Sequence, residues 1–141
     1  MAERDFEARI RDSFARQSLM TTFQADILSC EAGRITIAAP ILPGARQQQG
    51  AGHAGLTFAL GDTAAGYSAL SLMPPDVEVM TAEMKINLLA PAIGERLVAE
   101  GRVVKSGKRL SVVTAEVHAE ADGTRRLVAV LQGTMVPVRA G

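Results

Sequence analysis

Asp62 sits in the run Leu60-Gly61-Asp62-Thr63-Ala64-Ala65-Gly66, a carboxylate among small apolar residues. In an apolar helix such a group costs several kcal/mol unless it is paired or hydrogen-bonded, and a cost of that kind has a reason. Upstream lie the loop Gln47-Gln48-Gln49-Gly50-Ala51-Gly52 and the stretch His53-Ala54-Gly55. A helix start presents unpaired backbone N–H groups and the positive end of the dipole. That suits an oxyanion or a polarised carbonyl oxygen. Thr81, on the strand that follows, completes the set. Blander readings stand beside these. Asp62 also fits the N-cap of a helix that begins later, with His53 to Gly61 as loop, or a residue facing solvent. His53 alone reads as a helix-start residue with its ring packed on the loop. Thr81 alone is a good strand former, and Cys30 a small buried apolar residue.

Positioning these residues takes one long helix and the strands around it. Ala54 to Met73 is apolar and rich in small residues (Ala59, Gly61, Ala64, Ala65, Gly66, Ser68, Ala69), and Pro74-Pro75 ends it. A helix with small residues nearly all round is one that other backbone approaches closely, which predicts a helix wrapped by a sheet. Before it, Asp5 to Ser18 reads as a first helix, with Phe6, Ile10 and Phe14 on one face. Strand patterns follow at Thr22–Cys30 and Arg34–Ala38, with Glu31-Ala32-Gly33 as the turn between them. Pro40 and Pro43 stop regular structure, and Gly44 to Gly52 is a polar loop. After Pro75 the pattern is β throughout. From Met80 to Leu88 the even positions Met80, Ala82, Met84, Ile86 and Leu88 are apolar. Arg96–Lys105 and Leu110–Ala121 flank the turn Ser106-Gly107-Lys108-Arg109, and Asp122-Gly123 leads into Leu127–Val138. The last four strands read as a meander. The expected fold is therefore α+β: an antiparallel sheet of about six strands curled around the central helix.

The chain has 141 residues, which fits a single domain spanning 1–141. Fifteen basic and fifteen acidic residues cancel, which excludes the basic field of a nucleic-acid binder. With 48% hydrophobic and 21% charged residues a real core is available and disorder is excluded. One cysteine and two histidines, His53 and His118, give no internal disulfide and argue against a metal centre. No apolar run approaches the roughly 20 residues that cross a bilayer. The densely charged stretch Met1 to Gln17 does not read as a secretory signal, so a soluble cytoplasmic protein is expected.

Gly52-His53-Ala54-Gly55-Leu56 followed by Ala59-Leu60-Gly61-Asp62-Thr63-Ala64 resembles the signature of the hotdog-fold acyl-CoA thioesterases, nearest to the phenylacetate-degradation (PaaI) type. That family carries an Asn, then His-Gly-Gly, then an Asp nine residues after the His. Here Asp62 follows His53 by nine residues. Thr81-Ala82-Glu83-Met84-Lys85-Ile86-Asn87-Leu88-Leu89-Ala90-Pro91-Ala92 is similar to the family's strand ending in Asn and Pro-Ala. Gly94-Glu95 and Lys105-Ser106-Gly107-Lys108-Arg109-Leu110 match its later turns. The resemblance runs from about Leu19 to Val138. Two positions depart from it. Gln47 stands where the family has Asn, which keeps the amide on a longer arm. Ala54 stands where it has Gly, which keeps the N–H but adds a methyl at the approach to the thioester.

The resemblance implies a hotdog fold and hydrolysis of an acyl-CoA, small or medium-chain, aromatic ones included. It gives Asp62 the role of nucleophile or general base. It has the Ala54 N–H polarise the carbonyl, His53 and Gln47 orient the thioester or water, and Thr81 hold the water or Asp62. No cofactor is implied, since CoA belongs to the substrate. Ala54 and Asp62 are eight residues apart, about 12 Å along a helix at about 1.5 Å per residue, so one thioester cannot touch both in one chain. A two-fold pair of antiparallel helices solves this twice, and a homodimer, often paired into a homotetramer, is what the family implies. Lys105, Lys108 and Arg109, around Ser106-Gly107 and next to Leu110, are candidate contacts to the CoA phosphates. Arg125 and Arg126 add to them if the neighbouring hairpin is close. The first helix and Leu19–Phe23 are candidates to cover the acyl pocket. A non-catalytic acyl-CoA binding module and a hotdog hydratase or dehydratase are the competing functions. The binding module has no need of a carboxylate at Asp62, and the dehydratase motif is not found.

Overall fold

The computed structural model describes residues 2–139, with side chains from Phe6 on. Helix α1 (Ala2–Ala15) lays Ile10 fully into the core, with Phe6 and Phe14 packed beside it. The chain then makes a second, short helix, α2 (Ser18–Thr22), where a strand from Thr22 was expected. Met20 is its buried anchor, and a left-handed Gln24 (φ 56°) turns the chain out of it. Strand β1 (Asp26–Glu31) therefore starts four residues later than its pattern suggested. Gly33, at φ +76°, makes the turn into β2 (Arg34–Pro40). That strand runs beyond Ala38 to Pro40, because Ala39 and Pro40 still pair with Leu97 and Arg96.

Helix α3 (Ala54–Leu70) is the central helix, and it stops three residues short of Met73. Its end is held from outside: the Arg9 guanidinium donates to the carbonyls of Leu70 (2.5 Å), Met73 (3.1 Å) and Pro74 (2.7 Å). Leu70 is the last residue of the helix, and Met73 and Pro74 lie in the turn that follows it. Four strands follow: β3 (Val77–Leu88), β4 (Arg96–Ser106), β5 (Ser111–Ala121) and β6 (Thr124–Arg139).

The six strands form one antiparallel sheet in the order β1-β2-β4-β5-β6-β3, curled around α3. The four-strand meander expected from sequence is corrected here. Only β4, β5 and β6 follow one another, while β3 lies beside β6 at the far edge. Both edges of β4 are occupied, by β2 and β5, so β3 takes the free edge of β6 and the Leu89–Glu95 connection crosses the end of the sheet.

Small residues on α3 have a specific cause. A Cβ on Gly101 of β4 would strike the backbone of Ala64, so strand and helix touch through main chain. Ser68 and Ser71 stitch the other side. The Ser68 hydroxyl accepts from the Ile35 N–H (3.1 Å) and the Ser71 hydroxyl from the Gly33 N–H (2.7 Å).

Strand β3 does not keep one face inward. Val79 and Thr81 point toward α3, then a bulge between Thr81 and Glu83 passes the inward face to Met84 and Ile86. Met80, one of the apolar even positions, is 57% exposed. Opposite the bulge, Gly133 leaves room for the Glu83 backbone, which a Cβ would strike. One extra residue shifts side-chain parity, and here it aims Thr81 at the helix.

Candidate active site

The start of α3 is built by a short, closed loop. The Gln47 N–H donates to Ala51 O (2.8 Å), the Gly50 N–H to Gln47 O (3.0 Å), and Gly52 bridges to Ala92. The Gln47 side-chain oxygen accepts from the Gln49 N–H, which leaves the Nε2 of Gln47 to donate. His53 is the N-cap: its Nδ1 accepts from the Gly55 N–H at 2.7 Å. That settles the choice between loop and helix start, and it leaves Nε2 as the ring's outward donor. Ala54 is exposed, and its N–H has no hydrogen-bond partner among the described residues. Gln47, Ala54 and Thr57 face Leu89 and Pro91 across an open cleft of about 410 Å³.

Asp62 is the ninth residue of α3, so it is not the cap of a later helix, nor does it face open solvent. It is half-buried, and Thr81 Oγ1 donates to its Oδ1 at 2.7 Å. Burial pushes the carboxyl pKa above the ordinary aspartate value, while the Thr81 hydrogen bond pulls it back down. A second cleft, of about 220 Å³, opens beside it. Ser13, Gln17, Thr63 and Tyr67 also line that cleft, and sequence reasoning had not singled them out. Thr57, in the first cleft, was missed as well. The only available signal was Tyr67, the sole tyrosine, on a helix otherwise made, Asp62 apart, of small and apolar residues. Of the expected pocket cover, Ser13 and Gln17 border the Asp62 cleft, whereas Met20 of the Leu19–Phe23 segment goes into the core.

Within one chain the two groups stay apart. Thr81 joins Asp62, while Gln47 and Ala54 line the other cleft with His53 as the adjoining N-cap, and the two clefts share no residue. The turn Lys105-Ser106-Gly107-Lys108-Arg109-Leu110 is an exposed hairpin tip closed by Gly107 N–H to Leu110 O (2.9 Å). It lies at the Thr81 end of the sheet, since Ser111 pairs with Met135 and Met135 with Thr81. Two strand spacings, roughly 10 Å, separate it from Thr81. Arg125 and Arg126 do not join it. They sit at the opposite end of β5, roughly 34 Å away at about 3.4 Å per residue. That end is where the helix starts, because Leu88 at its cleft pairs with Ala129.

Residues 49–125 match the thioesterase superfamily, a span that includes the helix start, Asp62 and Thr81. A thioesterase family protein of Silicibacter pomeroyi is 39% identical, with 96% of this chain and 99% of that one aligned at a TM-score of 0.94. The BH2602 protein of Bacillus halodurans, solved with CoA, is 28% identical over 98% of this chain and 94% of its own, at a TM-score of 0.78. The PaaI protein of the Escherichia coli phenylacetic acid degradation operon shares the fold at 20% identity and a TM-score of 0.85, covering 100% of this chain and 97% of its own. A candidate esterase of Saccharolobus solfataricus is 37% identical over 87 residues. That match covers 62% of this chain and spans 55% of the relative's length.

Proposed function

The chain belongs to the thioesterase superfamily, and from that premise we propose that it is a thioester hydrolase that cleaves a small or medium-chain acyl-CoA, aromatic ones included, to the free acid and CoA. The observation that carries the reading is the half-buried Asp62, held by Thr81 beside a cleft in the middle of the central helix. A carboxylate kept there against its desolvation cost is placed for chemistry. Burial moves its pKa toward neutrality, which improves it as a base.

In this reading Asp62 either takes the proton from the water that attacks the thioester carbonyl or attacks that carbonyl itself. The negative charge that develops on the carbonyl oxygen is met by the free Ala54 N–H at the positive end of α3. The Nε2 donors of His53 and Gln47 orient the thioester or the water. About 12 Å of helix separates Ala54 from Asp62, so each site takes its helix start from one protomer and its Asp62 from another. The minimal unit is a homodimer with two-fold symmetry, and β3 supplies a free sheet edge. Antiparallel helices would set the Arg125-Arg126 end of one protomer beside the Lys105–Leu110 tip of its partner. Both basic sets would then flank one nucleotide. The CoA held by BH2602, a protein of this fold, supports the ligand class.

A chromogenic thiol-release assay over a panel of acyl-CoAs tests the proposal. Steady release of CoA with Asp62 intact is the expected result. Binding without release identifies a binding module. Hydration or dehydration of the acyl chain with the thioester intact identifies the hydratase class.

A further inference from the structure

The cleft beside Asp62 has an end that the hydrolysis does not explain. From Asp62 it runs along α3 past Gly66 to Tyr67, five residues or about 7.5 Å of helix. Gln17, at the junction of α1 and α2, reaches in from outside the sheet and forms the outer wall of the cleft from Thr63, next to Asp62, to Tyr67. Its Nε2 donates to the Tyr67 hydroxyl at 3.0 Å, and its Oε1 accepts from Thr63 Oγ1 at 3.4 Å. Ser13 on α1 lies 3.0 Å from the same tyrosine oxygen. Tyr67 is 5% exposed and cannot swing away, whereas Gln17 is half-buried with solvent behind it. Next to Tyr67, Gly66 keeps the passage wide: a Cβ there would come only to within 3.8 Å of the Met135 terminal methyl.

We infer that Gln17, locked onto Tyr67 and Thr63, is the outer wall that limits the length of acyl group the enzyme accepts. The inference rests on the reading that the Asp62 cleft is the hydrolytic site. With the reacting carbonyl at Asp62 and Thr81, the acyl group extends toward Gly66 with the glutamine, held between Thr63 and Tyr67, as its outer wall. The space is about 220 Å³, against the roughly 150 Å³ cavity that takes a benzene ring. That is room for a short chain or one ring. The wall comes from the N-terminal helices, so the segment outside the sheet determines specificity although it supplies no reacting group.

The test measures kcat/KM for straight-chain acyl-CoAs from acetyl to decanoyl, with benzoyl-CoA as the single-ring member. For Gln17→Ala, the ratio of octanoyl to butyryl kcat/KM should rise at least tenfold, the usual scale for methylenes newly accommodated in a pocket. For Gly66→Ala the same ratio should fall, because the new methyl narrows the passage without a clash. The Gly66→Ala result decides the matter if Gln17→Ala does not fold. A wild-type length profile in both variants, with hydrolysis intact, overturns the wall and leaves the proposed function standing. Failure of the wild-type protein to release CoA from any member overturns both.

Discussion

Thr81 donates a 2.7 Å hydrogen bond to Asp62, and it reaches that carboxylate only because β3 bulges immediately after it. The bond joins an edge strand to the middle of the central helix. It stabilises the charged form of a group whose burial disfavours charge.

Asp62→Asn keeps size and the acceptor for Thr81 while removing the charge. Turnover should fall by roughly 10² or more, the scale for a general base or nucleophile. The effect on stability has the opposite sign. Folding raises the Asp62 pKa, so its favourable contribution is complete below the unfolded value and is lost as pH rises through the folded one. The variant should therefore melt higher than wild type at pH 7, with the gain shrinking toward pH 4. Thermal melts at both values check this. An inactive but less stable variant at pH 7 would show that Asp62 is held as a structural carboxylate.

The acidic limb of kcat/KM should titrate above the ordinary aspartate range. Thr81→Val removes the bond that favours the carboxylate, so burial acts unopposed and the limb should move to higher pH. A limb that stays in place, or moves down, assigns it to another group.

Ala54→Pro deletes one N–H at a position where proline suits a helix, because the first residue of the helix has no N–H partner there and His53 is already extended (ψ 144°). The fold should survive, and kcat should drop by roughly 10²–10³, the usual cost of one lost oxyanion donor. Mixing Ala54→Pro with Asp62→Asn subunits then tests the shared site. Random heterodimers carry one intact site each, so activity should recover to about a quarter of wild type. No recovery in verified heterodimers would place both groups in one protomer's site.

If Lys108 and Arg109 hold the CoA phosphates, which take no part in the reaction, Lys108→Ala and Arg109→Ala should raise KM for acyl-CoA more than they lower kcat. Each exposed charge should be worth about 1 kcal/mol at most, hence less than tenfold. The effect should vanish for a pantetheine thioester, which lacks the nucleotide phosphates. Equal losses on both substrates would mean that the tip supports the fold instead.

The helix start at Ala54 was decided by the His53 cap, whereas the central helix, the hairpin turns and the odd position of Asp62 were legible in the sequence. Each is a local property. Small residues, Pro74-Pro75, Asp122-Gly123 and a carboxylate among alanines act within a few residues of chain. Short helix α2 escaped because Ser18–Thr22 is too brief for a periodicity to show, and Met20 turns helical only because the core takes it.

Tertiary structure decided the rest. Strand order depends on which edges are already filled: β4 is taken on both sides, which sends β3 to β6. The direction of Thr81 depends on a bulge that Gly133 permits from another strand, where period-two alternation alone would have turned it outward. The wall formed by Gln17 and Tyr67 joins residues fifty positions apart. Sequence patterning reports what neighbours along the chain impose on each other, whereas the shape of a cleft is set by backbone and side chains that meet only after the sheet has closed around the helix.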